Sequence, residues 1–437
     1  MINWVLALVL SVAGLVPVTY LLTNAYLSRR RGRNVRGEPR PPAAITIVMP
    51  VYGEDADRFR ASVRSAVRQG SRVIVVGDGC EEPYRSIVRS EGAEFVALPE
   101  RGGKKRALAA GLAQVTSPFV LFLDSDTVVP DGGAAALSAY FADDVGGVGA
   151  NLLHPDSDSV AAGCSEFVER AREVVLRAMS SRGNVLYLDG ACMMFRTELV
   201  RPFVASDAFQ RLRVFGRETP LGDDWLLTDY VLGRGYRTVK AYDVGAVTSA
   251  PGTVQGFVRQ NVRWMRSSWI RLGQYLRGAG PRDPGLFYRM ELIGTYALPL
   301  LTFALAIARF PMSLHLVERW TGAAYRFLTT GVLFDRSLSL FSWHHLLFSL
   351  QTALGLVGTG AFVGAVANRL PPHRRLRTLA CGLLGSGLLL LTAVYGLVTV
   401  WRASSWRESL RPGSPQPREA SSPVVGWAPS TGPYLRR

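Results

Sequence analysis

From Ile2 to Leu27 the chain carries no charged residue and is almost wholly apolar. A stretch of that length crosses the roughly 30 Å hydrocarbon core of a bilayer as a helix, the form that satisfies its own backbone polar groups there. Arg29, Arg30, Arg31, Arg33 and Arg36 follow at once, which keeps this end on the cytoplasmic side. A cleaved signal peptide carries its charges ahead of the apolar stretch; here they come after it, so the run reads as a retained span. Leu292–Phe310, Leu346–Ala367 and Thr378–Val400 are three further candidate spans, with Arg369, Arg374, Arg375 and Arg377 in the loop between the last two. Four spans with both basic flanks inside place both termini outside. Trp320–Phe334 is apolar but short and holds Arg326. It reads as interfacial or re-entrant, within 312–345, and leaves a fifth span open.

Between these regions the pattern changes. Ile45–Met49, Val73–Gly77, Glu94–Leu98 and Phe119–Leu123 are short β-branched or aromatic runs, and helical stretches separate several of them. Phe59, Val63, Ala66 and Val67 recur at helical spacing. Such alternation predicts an α/β domain with a mostly parallel sheet buried on both faces. Ligands bind such sheets beyond the carboxyl ends of the strands, so the polar residues after each apolar run carry the functional argument. The chain divides into an N-terminal span (1–27), a cytoplasmic domain (28–290) ending in interfacial amphipathic helices, a C-terminal membrane region (291–401) and a Pro-, Ser- and Gly-rich tail (402–437) that reads as disordered.

Net charge is +16, a balance suited to anionic lipid, a nucleotide-sugar or nucleic acid. Much of it flanks the membrane runs, and no basic patch interleaved with aromatics occurs outside Phe257–Leu276, which argues against nucleic acid as a partner. Cys80, Cys164, Cys192 and Cys381 lie far apart without a CxxC pair or a histidine cluster, against a zinc site or a disulfide framework.

Five stations and a closing helical motif follow in order. Pro50-Val51-Tyr52-Gly53-Glu54 closes the first run and Asp78-Gly79 the second; either alone is an ordinary turn. Arg101-Gly102-Gly103-Lys104-Lys105-Arg106 holds two of the three lysines, after a glycine pair and ahead of an Ala/Leu-rich helix. Open backbone N–H groups, a helix start and a fixed cation favour a phosphate, although the spacing is not that of a Walker A loop. In Asp124-Ser125-Asp126 two carboxylates at a strand end repel unless a cation joins them, and Mg²⁺ or Mn²⁺ with phosphate oxygens supplies that charge; a capping turn is the plainer alternative. Gly222-Asp223-Asp224 is either an acidic helix start, favoured by the dipole, or the seat of a general base, and the residues alone do not decide. Last, Gln260-Asn261-Val262-Arg263-Trp264 lies in a stretch with Phe257, Met265, Trp269, Leu272 and Leu276 roughly on one face and arginines elsewhere, the pattern of a helix lying on lipid.

In this order the stations resemble the D, D, D, QxxRW series of processive, membrane-integrated family 2 glycosyltransferases. They are most like hyaluronan synthases, then chitin-oligosaccharide and cellulose synthases. The series reads Asp78, Asp124/Asp126, Asp224 and Gln260-x-x-Arg263-Trp264, and Gly222-Asp223-Asp224-x-x-Leu227-Thr228 is similar to the hyaluronan-synthase GDDRxLT stretch, with Trp225 in place of Arg. Gly53 stands where the family has the Asn of PxYNE, and Gly77 where it has the first Asp of DDGS. The resemblance covers roughly 45–270. It implies a GT-A fold, a UDP-sugar donor, a growing glycan acceptor, a divalent metal, inversion to a β-linkage and a seat in the plasma membrane. By the same resemblance Tyr52, Glu54 and Asp78 hold the uridine, Lys104 or Lys105 faces the diphosphate, and Asp124 contacts the nucleotide. Asp126 ligates Mg²⁺ or Mn²⁺, Asp224 is the base, Trp264 stacks on the acceptor, Gln260 and Arg263 brace the diphosphate beside Asp223, and Gly190-Ala191-Cys192 lines the acceptor side. Two rivals stand beside it: a transferase placing one sugar on a lipid or polyprenyl phosphate, and a degenerate, inactive binding protein. The intact Asp126, Asp224 and QxxRW set argues against the second.

Overall fold

The structure, a computed structural model, describes residues 4–30, 36–281, 284–331 and 343–403. The tail reading, and part of that for 312–345, falls on residues outside this set. The strands are β1 (Ile45–Val51), β2 (Arg72–Asp78), β3 (Glu94–Leu98), β4 (Phe119–Leu123), β5 (Thr127–Val128), β6 (Val145–Leu153), β7 (Cys192–Arg196), β8 (Arg213–Val214), β9 (Arg217–Glu218) and β10 (Arg237–Thr248). The helices are α1 (Trp4–Leu27), α2 (Ala56–Val67), α3 (Tyr84–Ser90), α4 (Lys104–Ala113), α5 (Gly133–Ser138), α6 (Val160–Ser180), α7 (Thr197–Val204), α8 (Asp207–Gln210), α9 (Asp223–Gly233), α10 (Val254–Leu276), α11 (Leu286–Thr330), α12 (Trp343–Ala367) and α13 (Arg375–Val398).

Eight strands form one mixed sheet in the order β3-β2-β1-β4-β7-β6-β10-β5. Pairing is parallel from β3 to β4 and between β6 and β10; β7 and β5 run antiparallel to their neighbours. Every residue of β1 and β4 is buried, as the continuous apolar runs require of strands covered on both faces. One core, with Phe59, Val63, Tyr84 and Leu137, lies under α2, α3 and α5. The other, with Leu108, Leu112, Val200, Leu227 and Val231, lies under α4, α7 and α9, and runs on through Tyr288, Leu292 and Tyr296 of α11. Polar N-caps start several helices: the Asp55 carboxylate accepts from the N–H of Asp57 and Arg58, and the hydroxyls of Ser159 and Thr253 accept from those of Ala162 and Gly256.

Three helical segments, Leu286–Phe310, Ser349–Ala367 and Pro372–Val398, are long and apolar enough to cross a membrane. They match the three C-terminal spans read from the sequence to within a few residues. α1 packs against α12, α11 and α6. α11 continues unbroken through Thr330, so Trp320 to Thr330 is helical and continuous with the preceding span. α6 packs against β6 and β10 on one side and against α1, α12 and α13 on the other. Gly163 and Gly382 allow α6 and α13 to touch: a Cβ on Gly382 would meet the Phe167 ring at 2.4 Å, and one on Gly163 would meet Cys381 Sγ at 2.7 Å. α10, whose pattern suggested a lipid surface, packs against α6 and α13, with Trp269 Nε1 donating to the Ala393 carbonyl at 3.0 Å.

Candidate active site

Four strand ends and two helix starts converge. At the end of β2 the buried Asp78 carboxylate accepts from Gly102 N (2.7 Å) and Gly103 N (2.9 Å), and so holds the glycine pair that opens α4. Gly103 sits at φ +88°, a conformation natural to glycine, and turns the chain so that Lys104 leads the helix. Gly77 also has a physical cause: a Cβ there would lie 2.2 Å from the Cys80 carbonyl oxygen and 2.7 Å from the Phe95 ring. A side chain there would require the Cys80 carbonyl and the Phe95 ring to shift.

Lys104 is the hub. Its ammonium lies 2.7 Å from Asp124 Oδ1 and 2.9 Å from Asp223 Oδ2, and donates to the Gly190 carbonyl at 3.2 Å. Burial opposes its charge, but the two carboxylates outweigh burial and hold its pKa well above the lysine range. Lys105 points elsewhere, over the Phe209 ring at 5.6 Å, where burial lowers its pKa to about 8 against the pull of Asp223 and Asp224. Of the two lysines, the structure brings Lys104 into the carboxylate cluster.

The β4–β7 pairing continues past Leu123, since Asp124 N donates to the Ala191 carbonyl. This bond sets Gly190-Ala191-Cys192 beside Asp124-Ser125-Asp126. A Cβ on Gly190 would lie 3.3 to 3.4 Å from Lys104 Nζ, Asp223 Oδ2 and Asp224 Cβ, so that loop forms one wall of the cluster. Cys192 is buried in the wall, and burial raises its thiol to about 12. Asp223 and Asp224 open α9 after Gly222, which has φ +87°. The pair is split electrically. Burial opposes ionisation of Asp223, but Lys104 wins and holds its carboxyl below the usual range. Burial and the neighbouring Asp223 raise Asp224. A half-buried carboxylate with a raised pKa suits proton abstraction from a hydroxyl.

Burial first and then Asp126 raise Glu54 to about 7; burial likewise raises Asp124 to about 6 despite Lys104. An acidic cluster of hard oxygen donors suits Mg²⁺ or Mn²⁺. Asp126 accepts from the Ser249 hydroxyl and from Thr127 Oγ1 at 3.3 Å, which fix its orientation. Among the described residues no three Asp, Glu, His or Cys side chains form a closed metal cage, so a bound ion would draw other ligands from phosphate oxygens or water. Tyr52 lies beneath the Arg101 guanidinium, 3.4 Å from carbon to ring centroid, and the Tyr84 hydroxyl donates to the Glu54 carbonyl at 2.8 Å. These contacts shape a flat aromatic and cationic edge beside β1 and β2.

Gln260, Arg263 and Trp264 are half-buried on α10. Arg172 of α6 stands 5.2 Å from the Trp264 ring centroid. Sequence reasoning missed Arg172, Asp189, Ser249 and Tyr84. Ser249 follows the carboxyl end of β10, so the strand-end rule could have found it. Arg172 sits in a Glu-Arg-Ala-Arg-Glu run that reads as a solvated helix face.

The sequence model of a family described as glycosyltransferase like family 2 matches residues 41–267. An N-acetylglucosaminyltransferase of Rhizobium meliloti (strain 1021) is 28% identical over 286 residues, covering 58% of this chain and 65% of the relative. That of Mesorhizobium japonicum is 28% identical over 289 residues, covering 61% and 64%. The chain therefore spans just under two thirds of these relatives. Among solved structures, the mannosyltransferase PcManGT from Pyrobaculum calidifontis, in complex with GDP-Man and Mn²⁺, aligns with a TM-score of 0.53 at 19% identity, covering 83% of this chain and 97% of that one. That likeness establishes the GT-A fold. With the family match spanning the strand ends, the carboxylate cluster and Trp264, this chain belongs to glycosyltransferase family 2.

Proposed function

We propose that the chain transfers N-acetylglucosamine from UDP-GlcNAc to the end of a β-linked oligosaccharide, with inversion, at the cytoplasmic face of the plasma membrane. The observation that carries this reading is Lys104, which joins Asp124 on the donor side to Asp223, next to Asp224 on the acceptor side. A leaving diphosphate and an attacking hydroxyl would then meet within reach of one cation. The donor sugar follows from the N-acetylglucosaminyltransferase relatives. Extension over successive rounds accords with a transferase core continuous with membrane helices.

In this mechanism Asp224 takes the proton from an acceptor hydroxyl, and the oxygen attacks the anomeric carbon as the bond to UDP breaks. Lys104, released from its carboxylates by the entering donor, stabilises charge on the departing diphosphate. Mg²⁺ or Mn²⁺, held by Asp126 and the donor phosphates, would add Lewis-acid stabilisation to the same oxygens. Tyr52, Arg101 and the Asp78-held glycine turn receive the uridine end. Trp264 offers a flat apolar face to the acceptor sugar, and Arg263 just before it and Gln260 one turn back are assigned to the diphosphate.

The test is incubation of the full chain in vesicles with radiolabelled UDP-GlcNAc and Mg²⁺ or Mn²⁺, followed by product sizing. Label in β-linked material longer than one added sugar, lost in Asp224→Asn, is the expected result. Label confined to a small lipid product would replace chain extension with single transfer, and absence of turnover would overturn the donor assignment.

A further inference from the structure

Arg172 belongs to no motif, yet it occupies the junction between the acceptor platform and the loop under the carboxylates. Its Nε donates to the Tyr187 hydroxyl at 2.7 Å, its Nη1 to Glu169 at 2.9 Å and its Nη2 to Asp189 Oδ1 at 2.8 Å. All three nitrogens are directed, so the guanidinium plane has little freedom. The other Asp189 oxygen pairs with the buried Lys240, and the Asp189 carbonyl accepts from Cys192 N at 3.2 Å. Asp189 thereby anchors the Gly190-Ala191-Cys192 wall, and Arg172 anchors Asp189.

On its outer side the same guanidinium carbon stands 5.2 Å from the Trp264 ring centroid and 5.0 Å from that of Tyr187. A cation at that distance from an indole attracts it through the ring quadrupole. A lone tryptophan at a half-buried helix position could populate several side-chain orientations; one facing an immobile cation is held. Glu169 and Asp189 bear the charge of Arg172, so its contribution to Trp264 is the fixed planar surface together with the attraction.

We infer that Arg172 is a positioning residue of the acceptor subsite: it holds the Trp264 indole at the angle that receives a sugar ring and links that angle to the wall beside Asp224. The inference rests on Trp264 being the acceptor platform, as proposed above. A purely structural alternative exists, in which Arg172 only neutralises Glu169 and Asp189, and the experiment separates the two.

The full-length enzyme is assayed in vesicles with UDP-GlcNAc, varying a chito-oligosaccharide acceptor at fixed donor and then the reverse. Arg172→Met raises the acceptor KM by about tenfold, with donor KM kept within about twofold. Arg172→Lys retains a cation for Glu169 and Asp189 but loses the plane, and raises acceptor KM by a smaller factor; it also serves if the methionine variant fails to fold. In a Trp264→Ala background the Arg172→Lys effect disappears, since there is no indole left to hold. An unchanged acceptor KM in Arg172→Lys, or the same increase with and without Trp264, overturns the inference while leaving the proposed function intact. An unchanged acceptor KM in Trp264→Ala alone overturns the platform reading, and the inference with it.

Discussion

Adjacent carboxylates on α9 differ in their hold on a proton because Asp223 has an ion pair with Lys104 and Asp224 does not. Asp224 keeps its proton to higher pH than an ordinary aspartate, near 3.8, because burial and Asp223 both disfavour its charge. A protonated base accepts nothing, so kcat/KM should fall as pH drops through a limb lying above the usual aspartate range, read from a pH–rate profile. Asp224→Asn should lower kcat by about 10²–10⁴-fold and leave UDP-GlcNAc affinity nearly unchanged, since Lys104 and Asp126 remain. Gly77 tests packing instead of chemistry. Gly77→Ala drives a methyl into the Cys80 carbonyl and should cost about 1–3 kcal/mol of stability, measured as a lowered thermal midpoint. The sequence displayed the titratable members of this site because strand ends in α/β sheets are legible. Their division of labour was not, since which of Lys104 and Lys105 faces the carboxylates depends on the rotation of α4, fixed by a glycine turn tied to Asp78.

At the scale of elements, that tie is the clearest case of one strand placing the start of a helix. Asp78→Ala would strand two backbone N–H groups and free the turn, so donor KM should rise by about tenfold or more while acceptor KM stays put; initial rates at varied UDP-GlcNAc decide it. The sheet strands β1, β2 and β4 could be read from their runs because they are buried on both faces, and β3, a half-buried edge strand, from its Phe-Val pair. β7 and β10 were not: Cys-Met-Met-Phe-Arg lacks β-branched residues, and its strand character comes from lying between β4 and β6. α10 shows the same limit in helical form. Its apolar stripe and its arginines were visible, but a stripe facing lipid and one facing α13 have the same spacing.

Across the whole molecule, the catalytic layer and the membrane layer share a core. Phe167 and Val174 of α6 pack with Ala25 of α1 and Ala365 and Val366 of α12, and Arg369 pairs with Glu173 at 3.5 Å. A chain cut to residues 36–281 should therefore aggregate in detergent-free buffer, where the full chain in detergent elutes as one species by size exclusion. Arg374 and Arg377, read from the sequence as a cytoplasmic flank, pair with Asp156 and Asp158 of the loop before α6. The basic loop is thus fastened to the domain it adjoins.

α11 runs 45 residues without a break, and at 1.5 Å per residue it is about twice as long as the hydrocarbon slab is thick. If Leu286–Phe310 fills that slab, the remaining turns would emerge on its far side. They carry Leu314, Val317, Tyr325, Phe327 and Leu328 uncovered by the other described residues. Standing upright, that stalk would hold greasy side chains in water for some 30 Å; reclining on the leaflet it reaches, it would make a porch on the membrane surface.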